Sequence, residues 1–212
     1  MGGLRVGLTG GLGSGKSTVA AMLKERGAYV LSADEIGRKL MEPGQAVFAA
    51  IVAQFGDDVV REDGTLDRPK LSKMAFADGR IEELNAIVHP ATIKLQGRIA
   101  DEIFRRDPQA IVVVESALIF ETKHGDGWRE RFDRLVLVTA PEEMKIARFV
   151  GRAISQSGHG DRGALEAEAK RRLAQMIPDE AKAAECDFVI VNDGTLEELQ
   201  ARVEAVWRVL AA

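Results

Sequence analysis

Gly10-Gly11-Leu12-Gly13-Ser14-Gly15-Lys16-Ser17 is the most informative segment of this 212-residue sequence. It fits the pattern G-x-x-x-x-G-K-[S/T]. Residues 4–9 before it predict a short buried strand, and residues 16–26 after it predict a helix. In this context the segment predicts a phosphate-binding loop, because glycines let main-chain N–H groups face phosphate oxygens and a helix N-terminus adds partial positive charge. A glycine-rich structural turn is the alternative, which the flanking strand and helix disfavour.

The polar residues of this loop have expected partners on ATP. Lys16 would reach the β- and γ-phosphates, and the Ser17 hydroxyl can coordinate Mg²⁺, which is the expected cofactor. Thr18 is expected to contact the α-phosphate. The ATP-binding residues predicted in this part of the chain are Gly11, Gly13, Ser14, Gly15, Lys16, Ser17 and Thr18.

Four further segments predict strands, and helical patterns separate them. The strand segments are apolar throughout, which is typical of parallel strands covered by helices on both faces. These patterns predict a doubly wound α/β fold with a parallel sheet of about five strands. The further strands are expected at 29–31, 111–114, 135–138 and 188–191, and the later helices at 141–155, at 165–185 with a break near Pro178, and after a capping box at Thr195.

Two stretches interrupt this alternation. Residues 43–106 hold several helical patterns and no clear strand, which predicts a helical insertion. Residues 155–163 are rich in glycine and serine, which predicts a mobile loop. The expected organisation is a nucleotide-binding core of residues 1–42, 107–141 and 186–212, a helical acceptor-binding insertion over 43–106, and a lid with its return helix over 142–185.

Composition excludes several classes of protein. A formal net charge of -4 argues against a nucleic-acid partner, which would require a basic surface. The single cysteine, Cys186, excludes an intrachain disulfide and fits a reducing compartment. Residues 1–8 are too short and glycine-broken for a signal sequence, and no apolar run approaches the ~20 residues of a membrane span. We therefore expect a soluble, cytoplasmic protein with no membrane partner, either a monomer or a small homo-oligomer.

Asp34 follows the second predicted strand, at the edge of the sheet where α/β proteins bind ligands. A carboxylate there can accept the proton of an attacking hydroxyl group and direct that hydroxyl towards the γ-phosphate. Aspartate is also a favoured helix N-cap. Asp34 is therefore interpreted as a base, as a cap, or as both.

Arg148 and Arg152 lie four residues apart in the helix predicted after Pro141, so they share one face. The glycine-rich segment follows directly. Paired arginines beside a mobile loop suit the lid of a kinase, because phosphoryl transfer requires charge stabilisation and exclusion of water. The alternative is a solvated basic face.

A nucleotide-dependent switch is a competing class. Residues 34–37 spell the D-x-x-G of a GTPase, but they follow the second strand with little room for a first switch loop. The sequence also lacks an N-K-x-D segment that would recognise guanine. A kinase is therefore favoured over a switch, and the acceptor could be a nucleoside monophosphate or a sugar acid as far as these residues indicate.

Over nearly its whole length the sequence resembles the dephospho-coenzyme A (dephospho-CoA) kinase family. The resemblance rests on an ordered series of motifs at sensible spacings. They are the loop at 8–18, the aspartate-centred segment 32–38, the insertion segments 55–56, 63–68 and 84–90, the segment 118–121 after the third strand, the arginines at 148 and 152, and the closing region with Gln175 and 187–194.

The resemblance implies transfer of the ATP γ-phosphoryl group to the ribose 3′-hydroxyl of dephospho-CoA, the last step of coenzyme A synthesis. It implies that Asp34 is the base and that Lys16 and Arg148 act on the transferred group. Arg152 and Asn192 would contact ATP, and Glu115 would hold a water in the coordination shell of Mg²⁺. The implied acceptor site, with the helical insertion covering the pantetheine arm, consists of Thr9, Asp34, His89, Leu118, Phe120, Glu121 and Arg148.

The sequence departs from the family pattern at five positions. Ser32 stands where many relatives carry aspartate, Ala117 where proline is common, and Cys186 where alanine is common. Glu115 replaces an aspartate, and Lys145 replaces a glutamine before the lid arginine. The last two bear directly on how Mg²⁺ and phosphate are contacted.

Overall fold

The computed structural model describes residues 2–121, 127–157 and 160–212. The chain forms two compact units. The first comprises residues up to 31, 103–121 and 127–212, and the second comprises residues 32–102. In the described part of the chain, no helix combines the length and apolar character needed to cross a membrane.

A five-stranded parallel sheet forms the centre of the first unit, which confirms the predicted fold class. The strand order is β2-β3-β1-β4-β5. Because β1 is the middle strand, the loop that follows it begins at the centre of the sheet's carboxyl edge. The strands are β1 Leu4–Thr9, β2 Tyr29–Ser32, β3 Ile111–Glu115, β4 Arg134–Thr139 and β5 Phe188–Val191.

Helices follow the strands in the order that the apolar patterns predict. The helix after the phosphate loop, the helix after Pro141 and the last helix with its Thr195–Glu198 capping box are all present. The helices of the described residues are α1 Lys16–Glu25, α2 Ala33–Leu40, α3 Ala46–Phe55, α4 Arg68–Phe76, α5 Ile81–Arg106, α6 Trp128–Arg131, α7 Glu142–Ser157, α8 Arg162–Ala174, α9 Asp179–Ala183 and α10 Leu196–Leu210.

The core of the first unit lies between the sheet and the helices α1 and α10. Val6 and Leu8 of β1 are fully buried, and so are Leu23 of α1 and Val203 of α10. Burial of each such side chain contributes about 1.5–3 kcal/mol. This packing fixes the direction in which α1 leaves the phosphate loop.

The second unit has its own apolar core and is mostly helical, as the sequence predicts. Its centre consists of Val47, Ile51 and Phe55 of α3, together with Val59 and Leu66. Among its described residues after Ser32, the last residue of β2, there is one isolated antiparallel bridge, between Val60 and Leu66, and no strand.

The break predicted near Pro178 is confirmed, because α8 ends at Ala174 and Pro178 occupies the N-cap position of α9. The boundaries of the loop between α7 and α8 differ from the prediction. The loop expected over 155–163 is too long, because α7 continues to Ser157 and α8 begins at Arg162. Asp161 caps α8 by accepting hydrogen bonds from the backbone N–H groups of Gly163 and Ala164. Residues 158 and 159 lie outside the described residues.

Candidate active site

The phosphate loop, residues 10–15, connects β1 to α1, which confirms the predicted strand–loop–helix arrangement. Gly13 and Gly15 have φ values of 70° and 97°, a left-handed backbone that favours glycine. Gly15 is the N-cap of α1 and provides no side-chain hydrogen bond to the helix. No side-chain cap therefore occupies the start of this helix, which is the arrangement that lets a helix N-terminus bind an anion.

The loop lies against two neighbouring segments at very short range. A Cβ atom at Gly13 would collide with the backbone of Lys145, and one at Gly15 would collide with the side-chain amide of Asn192. The Asn192 amide donates a hydrogen bond to the Ser14 carbonyl at 2.8 Å. The start of α7 and the end of β5 thus hold the loop in shape.

The two functional side chains at the start of α1 both have partners. Lys16 Nζ donates to the Gly11 carbonyl at 3.3 Å. The Ser17 hydroxyl donates to Glu115 Oε1 at 2.8 Å, because β3 lies beside β1 and ends at Glu115. This hydrogen bond leaves the lone pairs of the Ser17 oxygen free to bind a cation.

The oxygen atoms of Ser17 and Glu115 fit Mg²⁺, which prefers hard oxygen ligands. Among the described residues there is no group of three or more histidine, cysteine or acidic side chains that could hold a metal ion. Mg²⁺ with ATP usually takes most of its ligands from the nucleotide phosphates and water, so one or two protein oxygens would suffice here.

Arg148 extends from α7 to the same region. Its Nη2 atom donates to the Asn192 backbone carbonyl at 3.1 Å and to Asn192 Oδ1 at 3.3 Å. Its Nη1 atom is buried and makes no hydrogen bond to the described residues. A buried donor without a partner is costly, so a ligand oxygen at this position would be stabilising. Arg152 lies one turn further along α7 and is exposed.

Two buried hydroxyl groups near the loop also make no hydrogen bond within the described chain, those of Thr9 and Ser14. Both residues are fully buried. Thr9 is the last residue of β1, so the predicted substrate contact at this position would require a ligand to reach the strand end.

The segment after β3 mixes exposed and packed side chains. Leu118 is 39% exposed. Phe120 makes an edge-to-face contact with Trp128 at 4.8 Å between ring centroids. The Glu121 carboxylate forms an ion pair with Lys182 at 2.6 Å, and Lys182 is fully buried. Phe120 and Glu121 therefore anchor the segment that carries Leu118.

Asp34 and His89 belong to the second unit. Ser32 caps α2, because its hydroxyl accepts a hydrogen bond from the Glu35 N–H. Asp34 is in the first turn of that helix, so the interpretation of Asp34 as the N-cap is wrong. Its carboxylate is exposed and makes no hydrogen bond or ion pair within the described residues. His89 is half-buried in α5, directly before Pro90.

The charges beside Asn192 are compensated. Arg202 donates a hydrogen bond to Asp193, and this bond lowers the pKa of the Asp193 carboxyl below its usual range.

Burial raises the pKa of Cys186 to about 11, so its thiol is protonated at neutral pH. The departure from alanine at Cys186 therefore adds no charge in the segment before β5.

Sequence reasoning missed one polar cluster beside the phosphate loop. The Asp179 carboxylate forms an ion pair with Lys145 and accepts a hydrogen bond from the Thr139 hydroxyl. The three residues come from α9, α7 and β4, and no local pattern connects them. The one feature of the sequence that could have indicated this cluster is Lys145, which replaces the glutamine of the family pattern.

A central strand that leads through a glycine-rich, lysine-containing loop into a helix, with an arginine from the helix after β4, defines a P-loop phosphotransferase. A family model described as dephospho-CoA kinase matches residues 4–198. The chain belongs to the dephospho-CoA kinase family.

Individual relatives agree with this assignment. The dephospho-CoA kinase of Symbiobacterium thermophilum is 41% identical over 204 residues, which cover 96% of this chain and 80% of that protein. The crystal structure of TT1252 from Thermus thermophilus is 30% identical with a TM-score of 0.75 and full coverage of both chains. The dephospho-CoA kinase from Campylobacter jejuni, at 19% identity, a TM-score of 0.66 and coverage of 98% and 96%, shares the fold. The activity that goes with the family is ATP-dependent phosphorylation of dephospho-CoA to coenzyme A.

Replacement of Gly15 by alanine tests the shape of the loop. We expect Gly15→Ala to weaken ATP binding about tenfold or more, because the new Cβ displaces the Asn192 amide from the loop. Gly27→Ala is the matched control, since Gly27 has a φ of 104° but no atom within 4 Å of its Cβ position. The measurement is the ATP dissociation constant by titration calorimetry. An equal loss of ATP affinity in both variants would contradict a specific role for the contact between Gly15 and Asn192.

Proposed function

We propose that the chain transfers the γ-phosphoryl group of ATP to the ribose 3′-hydroxyl of dephospho-CoA through the residues around the phosphate loop. The observation that carries this proposal is the convergence on one loop of Lys16, Ser17 and, through Asn192, Arg148. Positioning and charge stabilisation are what phosphoryl transfer requires of a protein.

Lys16 and the N–H groups at the start of α1 would bind the β- and γ-phosphates. Arg148 would place its unpaired Nη1 against an oxygen of the transferred group, where negative charge is spread during the reaction. Arg152 would contact ATP from the next turn of α7. The Asn192 side chain would flank the adenine while its amide keeps the loop closed.

Mg²⁺ bound with ATP supplies neutralisation of the phosphate charge. The Ser17 hydroxyl would be its protein ligand. Glu115 would fix the orientation of that hydroxyl and hold a neighbouring water. Thr18 would contact the α-phosphate.

Asp34 would accept the proton of the 3′-hydroxyl. The bond from the ribose oxygen to the γ-phosphorus forms, the bond from that phosphorus to the bridging oxygen of ADP breaks, and the proton passes to the carboxylate. The proposal is supported by the exposed, unpaired state of the carboxylate in the described chain and by the place of Asp34 in the family motif.

The acceptor would be bound by Thr9, His89 and the segment Leu118–Glu121, with residues 43–106 as the insertion that covers the pantetheine arm. Residues 142–185 would act as the lid, since α7 carries both arginines. We place this activity in the cytoplasm, where the single cysteine remains reduced.

The reaction itself is tested by ADP release from Mg-ATP. We expect release to depend on dephospho-CoA and not on a nucleoside monophosphate or a sugar acid, because those alternatives lack the pantetheine arm. GTP should be a poor donor. Turnover without dependence on any acceptor, or with preference for GTP, would instead support a switch.

Asp34→Asn tests the base. We expect a fall in kcat of about a hundredfold or more with nearly unchanged ATP affinity, because the amide cannot accept the proton. Glu35→Gln is the matched control, since Glu35 is the adjacent exposed acid in the same helical turn. A loss of only a few-fold for Asp34→Asn would reduce Asp34 to a structural role.

Glu115→Gln tests the Mg²⁺ contact. The amide oxygen can still accept the Ser17 hydrogen bond, so the variant removes charge and keeps shape. We expect the Mg²⁺ concentration for half-maximal activity to rise about tenfold. Glu115→Asp introduces the residue that is common in the family and keeps the negative charge. This variant should need less Mg²⁺ for half-maximal activity than Glu115→Gln does. An unchanged Mg²⁺ requirement in Glu115→Gln would exclude Glu115 from holding the water beside the metal ion.

A further inference from the structure

We infer that Lys145 and Asp179 form a positioning pair that sets the phosphate loop at Gly11 and Gly13, and thereby controls ATP affinity. The inference rests on the proposed function only because that function identifies the bound nucleotide as ATP. Neither residue is assigned a role by the family motifs described above, and Lys145 departs from them.

The pair is well enclosed. The side chain of Lys145 is 10% exposed and that of Asp179 is 17% exposed. Asp179 Oδ2 is bound by both the Lys145 ammonium group and the hydroxyl of Thr139, the last residue of β4. Charges enclosed in this way are stable only while both partners are present.

The pair lies directly beside the phosphate loop. The Cβ position of Gly11 is 3.7 Å from Lys145 Nζ and 3.7 Å from Asp179 Oδ1. The backbone of Lys145 leaves no room for a side chain at Gly13. The Gly11 carbonyl is also the acceptor for Lys16. A shift of the pair would therefore move the acceptor that holds the functional lysine.

Asp179 is itself fixed from a second side. It is the first residue of α9, and Lys182, three residues later, is fully buried against Glu121. The short helix also packs on β4. Because two ion pairs fix α9, the Asp179 carboxylate has a fixed position from which it can orient the Lys145 ammonium group.

The charge balance shows why a lysine is required. A carboxylate beside Gly11 would repel the triphosphate if it were unpaired, since charge interactions are strong where water is partly excluded. Lys145 cancels that charge. Loss of Lys145 should therefore be more damaging to ATP binding than loss of Asp179, although both disturb the loop.

The experiment compares Lys145→Gln, Asp179→Asn and the double variant. We expect Lys145→Gln to raise the KM for ATP about tenfold and Asp179→Asn about threefold. The double variant, in which two neutral amides can hydrogen-bond, should return to within about threefold of wild type. The KM for dephospho-CoA should stay unchanged in all three.

Glu204→Gln is the matched control, because it breaks the Arg26–Glu204 ion pair of the same unit. Arg26 lies at the far end of α1, about 15 Å along the helix from the loop, so this change should leave the KM for ATP unaltered. Thermal unfolding of every variant separates a loss of stability from a change in affinity.

An unchanged KM for ATP in Lys145→Gln, or a double variant as weak as Lys145→Gln, would overturn the inference. A lower melting temperature without a change in KM would also overturn it, since the pair would then be purely structural. ATP dissociation constants from calorimetry give the same comparison without turnover. Failure of wild type to phosphorylate dephospho-CoA would thus refute the proposed function and leave the inference testable.

Discussion

The close approach of the phosphate loop to the backbone at Lys145 and to the amide of Asn192 is the constraint on which the site depends. Neither contact leaves room for a Cβ atom at Gly13 or Gly15. The glycines therefore serve two purposes, since they allow the left-handed backbone and let two other chain segments touch the loop. Because contacts with other segments fix its conformation, the loop can present its N–H groups to a phosphate with little reorganisation.

The residues that support the phosphate loop lie at the carboxyl ends of three other strands, β3, β4 and β5. Glu115 ends β3 and accepts from Ser17, Thr139 ends β4 and binds Asp179, and Asn192 follows β5. The Asn192 N–H continues the ladder to the Thr139 carbonyl at 2.7 Å. Parallel pairing thus brings residues distant in sequence to one edge, where their polar groups converge.

Local patterns in the sequence were sufficient for the loop, the five strands and most helices, because each depends on nearby residues. The Thr195 capping box and the apolar strand at 188–191 are examples. The cap interpretation of Asp34, one of the two considered, was wrong because Ser32 and Asp34 are both good caps, and only the position of the helix start distinguishes them. The pairs Lys145–Asp179 and Glu121–Lys182 were beyond sequence reasoning, since they join segments 34 and 61 residues apart.

The two pairs on α9 also indicate why this helix of five residues is ordered. So short a helix has little stability by itself, and the described chain shows no side-chain cap at its start. Asp179 and Lys182 are three residues apart, so they lie on neighbouring positions of one face. One binds α7 and β4, and the other binds the segment after β3. Desolvation offsets much of the attraction in such pairs, so their main effect is to select one position for α9 and hence for the residues beside the loop.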